Sequence, residues 1–553
     1  VRAKKVIKLF LAIASALVVA LAHPLLHPLL SYASSVILIG LFFYAICDLP
    51  LKFRFLAGFS WYAFVIGVHF AWFATTTYHG PLILVAYGLL LVLISSQFGL
   101  LCLLIEKNKL QLSSCLMIAA VWALLEWSRL FILSGFSLHP FGLFLSWHVF
   151  PLQLSSFLGV YGLSFIVLLT NLLFTRFLIS FHWKMLLPFT AVALCPYILG
   201  AAMLSWYHKE ALGSDSKVVA IIQTGLSIEQ KNIIAGKQNK FVDPLSQWMD
   251  HFKLMKEGIT ENVDYIVFPE AVAMFGAYDA IFPLNVIKHA MSGIFGEEIA
   301  AYFPKEREDS RFYTQLQDEW FVSNAFMAQT LSNFYNARLM AGFELYEGST
   351  NYNAALHFSP TGKEIQVYHK QILLPVAEYL PFRFLEKLAS KYGIGGFFTP
   401  GNGGQIFYGE PNILPSICYD ECFGHKTAFG NQNAKMIVSL SNDGWFPDSD
   451  LPSWHLAHAR LRAAEMGVPM LRACNTGISS VIDSFGCLNK LMEEKEKNGA
   501  LKKGVLLGHF KIFHHQTLYS LFGDFLVLIP CALIILSQRY LTKIRVEEKR
   551  DFI

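Results

Sequence analysis

The sequence predicts two unlike parts: an α-helical membrane bundle, and an α/β domain set in before the bundle's last helix. Three observations carry this. The chain has 553 residues, 54% hydrophobic and only 15% charged, whereas soluble domains carry about 25% charged residues. Apolar stretches of about 20 residues, long enough to cross a hydrocarbon layer, precede residue 207 and recur once after 516. Between them, residues 207–516 alternate short β-rich runs with helical patterns, as α/β domains do.

The apolar stretches lie near 6–22, 29–47, 55–76, 82–105, 112–133, 156–178, 185–206 and 517–537, giving eight expected spans. The first has no clear small-residue cleavage site and further spans follow it, so it reads as a retained span and not a signal peptide. Lys and Arg residues orient the set, because short cytoplasmic connections are enriched in them. Arg2, Lys4, Lys5 and Lys8 mark the N-terminus. Lys52, Arg54, Lys107, Lys109, Arg176 and Lys184 mark the second, fourth and sixth connections, and Arg539, Lys543 and Arg545 the tail. The connections near 23–28, 77–81 and 134–155 have neither residue. Both termini are therefore expected inside and residues 207–516 outside. A net charge of +4 without a basic, aromatic-interleaved patch argues against nucleic-acid binding. Glu126, expensive inside an apolar span, has Arg129 one helical turn on and is expected to pair with it.

Strands are expected at Val218–Gln223, Tyr265–Phe268, Leu339–Glu344, Ala354–Phe358, Glu364–Tyr368, Ile413–Ile417, Met436–Leu440, Met470–Ala473, Ser479–Asp483 and Val505–Gly508. Gly, Asn, Asp and Pro separate most of them. The stretch 286–335 mixes Phe295, Phe303, Phe321, Phe326 and Met327 with the charged run Lys305–Asp309. It reads as a surface helical insert or, more sharply, as a lid touching lipid. Cys418, Cys422, Cys474 and Cys487 fall in the external block. Their spacing is not that of a Cys-x-x-Cys metal or redox pair. His455 and His458 lack the companion ligands of a zinc site, so no metal or other cofactor is expected. Arg460, Arg462 and Glu465 read as a structural charge network.

Three short stretches carry the chemistry: Tyr265-Ile-Val-Phe-Pro-Glu270, Tyr368-His-Lys370 and Pro415-Ser-Ile-Cys-Tyr-Asp420. Glu270, Lys370 and Cys418 each follow an apolar run that reads as a strand, and strand ends hold side chains rigidly over a common cleft. A thiol accepts an acyl group as thiolate, a form favoured by a nearby base and a fixed positive charge. The set reads as machinery for acyl transfer through a thioester. Glu270 is the expected general base and Cys418 the nucleophile. Lys370 would stabilise thiolate and oxyanion, with the backbone N–H of Tyr419 as the second oxyanion donor.

The order Glu, Lys, Cys with these flanks resembles the nitrilase (carbon–nitrogen hydrolase) superfamily. Leu124-Leu-Glu-Trp-Ser-Arg129, Leu374-Pro-Val-Ala-Glu-Tyr-Leu-Pro381, Ser441-Asn-Asp-Gly-Trp-Phe446, Arg460-Leu-Arg-Ala-Ala-Glu465 and Arg472-Ala-Cys-Asn-Thr-Gly-Ile478 extend the likeness. Over its whole length the chain resembles the membrane-embedded apolipoprotein N-acyltransferase family.

The resemblance implies a nitrilase-like αββα sandwich, with domains at 1–206, 207–516 and 517–553. It implies Glu378 as a second glutamate supporting Lys370, with Asn353, Tyr419 and Asp420 as further supporting residues. It also implies a phospholipid acyl donor and a diacylated apolipoprotein acceptor. The place implied is the bacterial inner membrane, with a periplasmic catalytic domain, both termini cytoplasmic and a monomeric enzyme. A membrane-tethered amidase or thioesterase using water would need the same three groups. The chain departs from the family pattern at Asp420, where Glu is usual, and at Asn232, where Trp is common. Leu138-His-Pro140 also lacks a typical Trp, and the interval from Glu270 to Lys370 is long.

Overall fold

The computed structural model describes the whole chain except residues 1, 79, 232–239, 361, 363, 376, 381–396, 404–405, 429–430, 432 and 552–553. Two compact units result. One comprises Val1–Lys209, Asp448–Met466 and Gln516–Ile553, the other Glu210–Pro447 and Gly467–His515.

The first unit is helical. Pro28–Ile46, Leu51–His69, Ile83–Cys102, Leu112–Phe131, Ser155–Ser180 and Trp183–Leu212 are long and apolar enough to cross a membrane. Helices Arg2–Ala20 and Phe525–Asp551 occupy the first and last expected stretches. Within the first of the six, Ser34–Leu38 widens into a π turn, which frees backbone carbonyls. Asn171 closes that gap: its Nδ2 donates to the carbonyls of Ser34 (3.1 Å) and Ser35 (3.0 Å), and its Oδ1 accepts from Gly40 N (2.8 Å). With no water in hydrocarbon, such internal bonding is what a broken helix requires. Glu126 and Arg129 are both buried, but they do not form the expected pair. Glu126 Oε1 accepts from Phe141 N (2.9 Å), while Arg129 Nε donates to Gln97 Oε1 (2.8 Å) and its guanidinium lies over Trp122. Helical spacing put the two on one face, but each had a nearer partner on a neighbouring segment.

The second unit contains fourteen described strands. In chain order these are β1 Ser216–Gln223, β2 Tyr265–Val267, β3 Phe282–Pro283, β4 Tyr313–Leu316, β5 Glu319–Val322, β6 Arg338–Glu347 and β7 Thr350–Phe358. They continue with β8 Gln366–His369, β9 Ile413–Ile417, β10 Met436–Ser441, β11 Met470–Cys474, β12 Ser479–Ile482, β13 Leu488–Met492 and β14 Gly504–Lys511. One sheet has the order β14-β1-β2-β6-β7-β8 and another β13-β12-β11-β10-β9. The parallel pairs β1–β2–β6 and β9–β10–β11 form the buried centres. Their runs read Val-Val-Ala-Ile-Ile and Met-Ile-Val-Ser-Leu, apolar on both faces as buried parallel strands are. Pro415 sits inside β9, which is tolerable because β9 ends its sheet and needs only one neighbour.

Val219, Ile221, Val267 and Met340 from the first sheet meet Ile417, Val438, Leu440 and Ala473 from the second in one buried core. The other face of the first sheet packs Trp248, Phe252 and Met255 of helix Pro244–Gly258 with Ile266, Leu339 and Leu356. That helix starts on Asp243, whose Oδ1 accepts from Ser246 N (2.9 Å), with Pro244 in the first turn. Helix, sheet and sheet are thus three layers of the αββα sandwich.

The stretch 286–335 is more than a surface insert, because part of it is built into the core. It supplies helices Leu284–Phe295 and Asn324–Tyr335 and the β4–β5 hairpin, which pairs with β3 in a third sheet. Phe295, Phe326 and Met327 are buried in the core, and Phe303 packs on Phe326. The hairpin was missed because its turn, Gln317-Asp318, lacks glycine although both residues take positive φ.

Candidate active site

Glu270 stands three residues past β2, Lys370 directly after β8 and Cys418 directly after β9. The parallel strands β2 and β9 therefore deliver base and thiol at their C-terminal ends, where open α/β sheets commonly present function. Two backbone turns aim these side chains. Cys418 has φ +49°, so the chain leaves β9 abruptly into a short 3₁₀ turn, Cys418–Cys422. Ala271, next to Glu270, has φ +48°. A non-glycine residue in this region costs about 1–2 kcal/mol and persists only where the surroundings enforce it. At Ala271 the enforcement is visible: Gly342 N donates to Pro269 O (3.1 Å) and Val272 N to Gly342 O (2.9 Å). Gly342 must be glycine for this, since a Cβ there would lie 2.7 Å from the Glu270 Cα.

The charged groups interlock. Lys370, 1% exposed, donates through Nζ to Glu378 Oε1 (2.8 Å) and Glu270 Oε1 (3.3 Å). Asn353 Nδ2 donates to the same two oxygens, at 2.7 Å to Glu270 and 3.1 Å to Glu378. Glu378 Oε2 accepts from Leu374 N (2.8 Å), which fixes the loop that carries it. The strand register continues into the site, because Lys370 N donates to Asn353 O (2.8 Å).

Burial raises the Glu270 carboxyl above the ordinary carboxylate range, Lys370 opposing and Glu378 reinforcing. Burial alone would pull the Lys370 ammonium down, but Glu270 and Glu378 drive it well up, so it stays charged. The Cys418 thiol is pushed well up by burial and by Glu270, with Lys370 acting against both. The resting site is therefore a protonated thiol beside a fixed cation and a carboxylate of raised basicity. That is a base poised to take a proton when the thiol attacks.

These groups line a cleft with a volume of about 180 Å³. Its apolar wall includes Ile228, Met274, Phe275, Leu374, Phe398 and Trp445. The lining thus combines ionic groups with side chains that suit hydrocarbon.

Of the expected residues, Glu270, Lys370, Cys418, Glu378 and Asn353 meet at this cleft. Asp420 and Tyr419 stand behind it. Asp420 Oδ2 accepts from Tyr368 OH (2.8 Å) and its Oδ1 from Ile372 N (2.8 Å). It therefore ties the turn after Cys418 to the segment after Lys370. Burial pushes its carboxyl up to about 6. The Tyr419 ring is buried against Phe423 and turns away from the cleft. Asn232 lies outside the described residues, as do Pro381 and position 376 of the Glu378 loop. Sequence reasoning passed over Lys231, which lines the cleft although no strand run precedes it to mark it out. Behind the turn, Arg472 also joins Glu421 (3.0 Å) and Asp443 (3.5 Å) in a fully buried cluster. All nine cysteines are free thiols.

The carbon–nitrogen hydrolase family model matches residues 219–500, and that of the apolipoprotein N-acyltransferase N-terminal domain matches residues 15–173. The apolipoprotein N-acyltransferase of Chlamydia pneumoniae is 30% identical over 514 residues, covering 89% of each chain. That of Chlamydia trachomatis is 30% identical over 498 residues, 86% of each. A carbon–nitrogen hydrolase of known structure from Helicobacter pylori aligns at 12% identity with a TM-score of 0.32, covering 61% of this chain and 98% of that one. With relatives of this identity and coverage, and a carbon–nitrogen hydrolase domain bearing the cleft just described, the chain belongs to the apolipoprotein N-acyltransferase family and is an acyltransferase.

Proposed function

We propose that the chain moves an acyl chain from a membrane phospholipid to Cys418, and from there to the α-amine of a lipoprotein's diacylglyceryl-cysteine. The observation that carries the reading is the conjunction of thiol, ammonium and carboxylate in one cleft that is also lined by Met274, Phe275, Phe398 and Trp445. Glu270 takes the Cys418 proton as sulfur attacks the donor's ester carbonyl. Lys370 and the Tyr419 N–H hold the oxyanion of the tetrahedral intermediate. Its collapse breaks the C–O bond, and the proton on Glu270 passes to the departing lysophospholipid oxygen. The thioester remains. The incoming amine then attacks, Glu270 accepts its proton, and the C–S bond breaks as that proton passes to sulfur to return the thiol. Glu378 and Asn353 keep Lys370 and Glu270 in register, and Asp420 anchors the nucleophile turn. The acyl chain lies along Met274, Phe275, Phe398 and Trp445.

The charge pattern of the connections supports eight spans, with both termini cytoplasmic, in a bacterial inner membrane. In this reading residues 1–206 form seven spans, 207–516 the periplasmic catalytic domain and 517–553 the last span and tail, and the enzyme acts as a monomer. Single-cysteine reporters at Ser214 and Thr542, challenged with an impermeant thiol reagent on spheroplasts, test the orientation. Ser214 should label and Thr542 should not; the reverse pattern overturns it.

The acceptor is tested by giving purified enzyme phospholipid and a synthetic diacylated lipopeptide, either with a free α-amine or with that amine acetylated. A one-acyl mass gain only on the free-amine peptide is expected. Release of free fatty acid at the same rate with and without peptide would instead mark a thioesterase using water.

A further inference from the structure

Lys231 ends the short helix Ile228–Lys231, lines the cleft and is 5% exposed. Its Nζ donates to the carbonyl of Ala271 at 2.6 Å. That carbonyl belongs to the residue of positive φ directly after Glu270. The neighbouring carbonyls of the turn are also held. Pro269 O accepts from Gly342 N (3.1 Å), and Val272 O bonds His251 Nε2 (3.1 Å). A buried ammonium costs several kcal/mol, and one bond to a neutral carbonyl does not offset that. A carboxylate offsets part of it, and the carboxylate acting on Lys231 is Glu270.

We propose that Lys231 is a positioning residue for Glu270, locking the turn that aims its carboxylate and adding a second positive charge that favours its ionised form. This rests on the reading of Glu270 as the general base. The groups around Glu270 come from several other segments. Lys370 and Asn353 bond its Oε1, and Glu378 repels it from the loop after Lys370. Cys418 feels its charge from the nucleophile turn. His251, on helix Pro244–Gly258, is held near 4 by burial and adds no charge at neutral pH. Lys231 thus acts from beside the Ala271 carbonyl, while Lys370 bonds Glu270 and Glu378 directly. Consistent with a tight environment, burial lowers the Lys231 ammonium to about 7, Glu270 opposing.

The test follows Cys418 acylation by phosphatidylethanolamine in mixed micelles as a function of pH, on full-length enzyme. Lys231→Met should lower kcat about 10- to 100-fold, equal to about 1.4–2.7 kcal/mol, with KM within twofold. Loss of a nearby cation raises the Glu270 pKa, so the acid limb of the pH profile should move up by about one unit. Lys231→Gln keeps a donor for the Ala271 carbonyl without the charge. It should recover most of kcat at its optimum while keeping the displaced limb, and Lys231→Arg should restore the limb. An unmoved acid limb in both Lys231→Met and Lys231→Gln overturns the proposal, whatever happens to stability. Glu270→Gln separates the two readings: should it retain acylation, Glu270 is not the base, and the reading beneath the proposal falls first.

Discussion

Cys418 and Cys474 sit in the same α/β unit, each beside a buried cation and carboxylates, yet the two surroundings differ in one respect that decides their chemistry. Cys418 opens on a cleft, and its cation, Lys370, is shared by two glutamates from different segments. Cys474 Sγ lies 2.7 Å from Arg472 Nη1, inside a cluster of Arg472, Glu421 and Asp443 whose side chains are all 0% exposed. There every strong donor and acceptor already has a protein partner: Glu421 takes Arg472 twice and Ser439, and Asp443 takes Ser441. Burial raises both thiols. Only at Cys418 is there room for a substrate carbonyl beside the sulfur. The contrast teaches that a buried thiol–cation–carboxylate set is reactive where its geometry leaves space for a substrate, and is structural where all its partners are internal.

The comparison breaks most visibly at the two thiols. Cys418→Ala should remove acyl transfer by about a thousandfold or more, since the covalent route is lost, with the thermal midpoint nearly unchanged. Cys474→Ala should keep turnover within about threefold, and its cost should be read in the melting curve at about 1–2 kcal/mol. Equal losses of activity in the two variants would end the distinction.

The two cations sharpen it next. Lys370→Met should lower kcat about 10²–10³-fold, as loss of an oxyanion partner does. Arg472→Met leaves Glu421 and Asp443 buried without a counter-charge and should destabilise the fold by about 3–5 kcal/mol. Folded Arg472→Met enzyme should nevertheless acylate Cys418 at a rate within about tenfold of the parent (1.4 kcal/mol). Thermal denaturation alongside single-turnover acylation distinguishes the two costs.

Glu378→Gln is a smaller perturbation, because Leu374 N and Asn353 still fix the loop. A fall of about tenfold in kcat is expected, equal to about 1.4 kcal/mol, read as steady-state transfer at fixed phospholipid.

Asp420 gives the smallest effect, and a pH-dependent one. Its folded pKa of about 6 lies above the ordinary 3.8. The folded state therefore holds the proton more tightly, and stability should fall as pH rises from about 4 to about 7, opposite to a salt-bridged aspartate. In Asp420→Asn that slope should flatten, while only one of Tyr368 OH and Ile372 N keeps its acceptor, because asparagine has a single side-chain oxygen. Melting curves across that pH window report it.

The parts of this site that follow local rules were legible. β9 was readable to the residue at Ile413–Ile417, because a mostly apolar run with Pro415 inside it, followed by Cys-Tyr-Asp, suits a buried edge strand. The ends of β2 and β8 placed Glu270 and Lys370 for the same reason. Strand β13, Leu488–Met492, was not legible. It carries Asn489 and Lys490 at an exposed sheet edge and so lacks an apolar run. Nor was the Arg472–Glu421 cluster, which joins residues 51 apart in sequence, one on β11 and the other in the turn after β9. Arg462 and Glu465, expected with Arg460 in a structural charge network, lie 3.0 Å apart, as the one-turn rule for helical neighbours allows. The same rule failed for Glu126 with Arg129, where Phe141 N and Gln97 offered better partners. Periodicity finds neighbours within an element; it does not rank them against partners supplied by tertiary packing.

The central claim, that Cys418 and not Cys474 carries the acyl group, is tested most directly by intact-mass measurement of purified enzyme after exposure to phosphatidylethanolamine without acceptor. A single fatty-acyl mass increase is expected in the parent and in Cys474→Ala. It should be absent in Cys418→Ala and lost on adding diacylated lipopeptide. An acyl adduct that persists in Cys418→Ala, or a parent enzyme that turns over without ever gaining that mass, would contradict it.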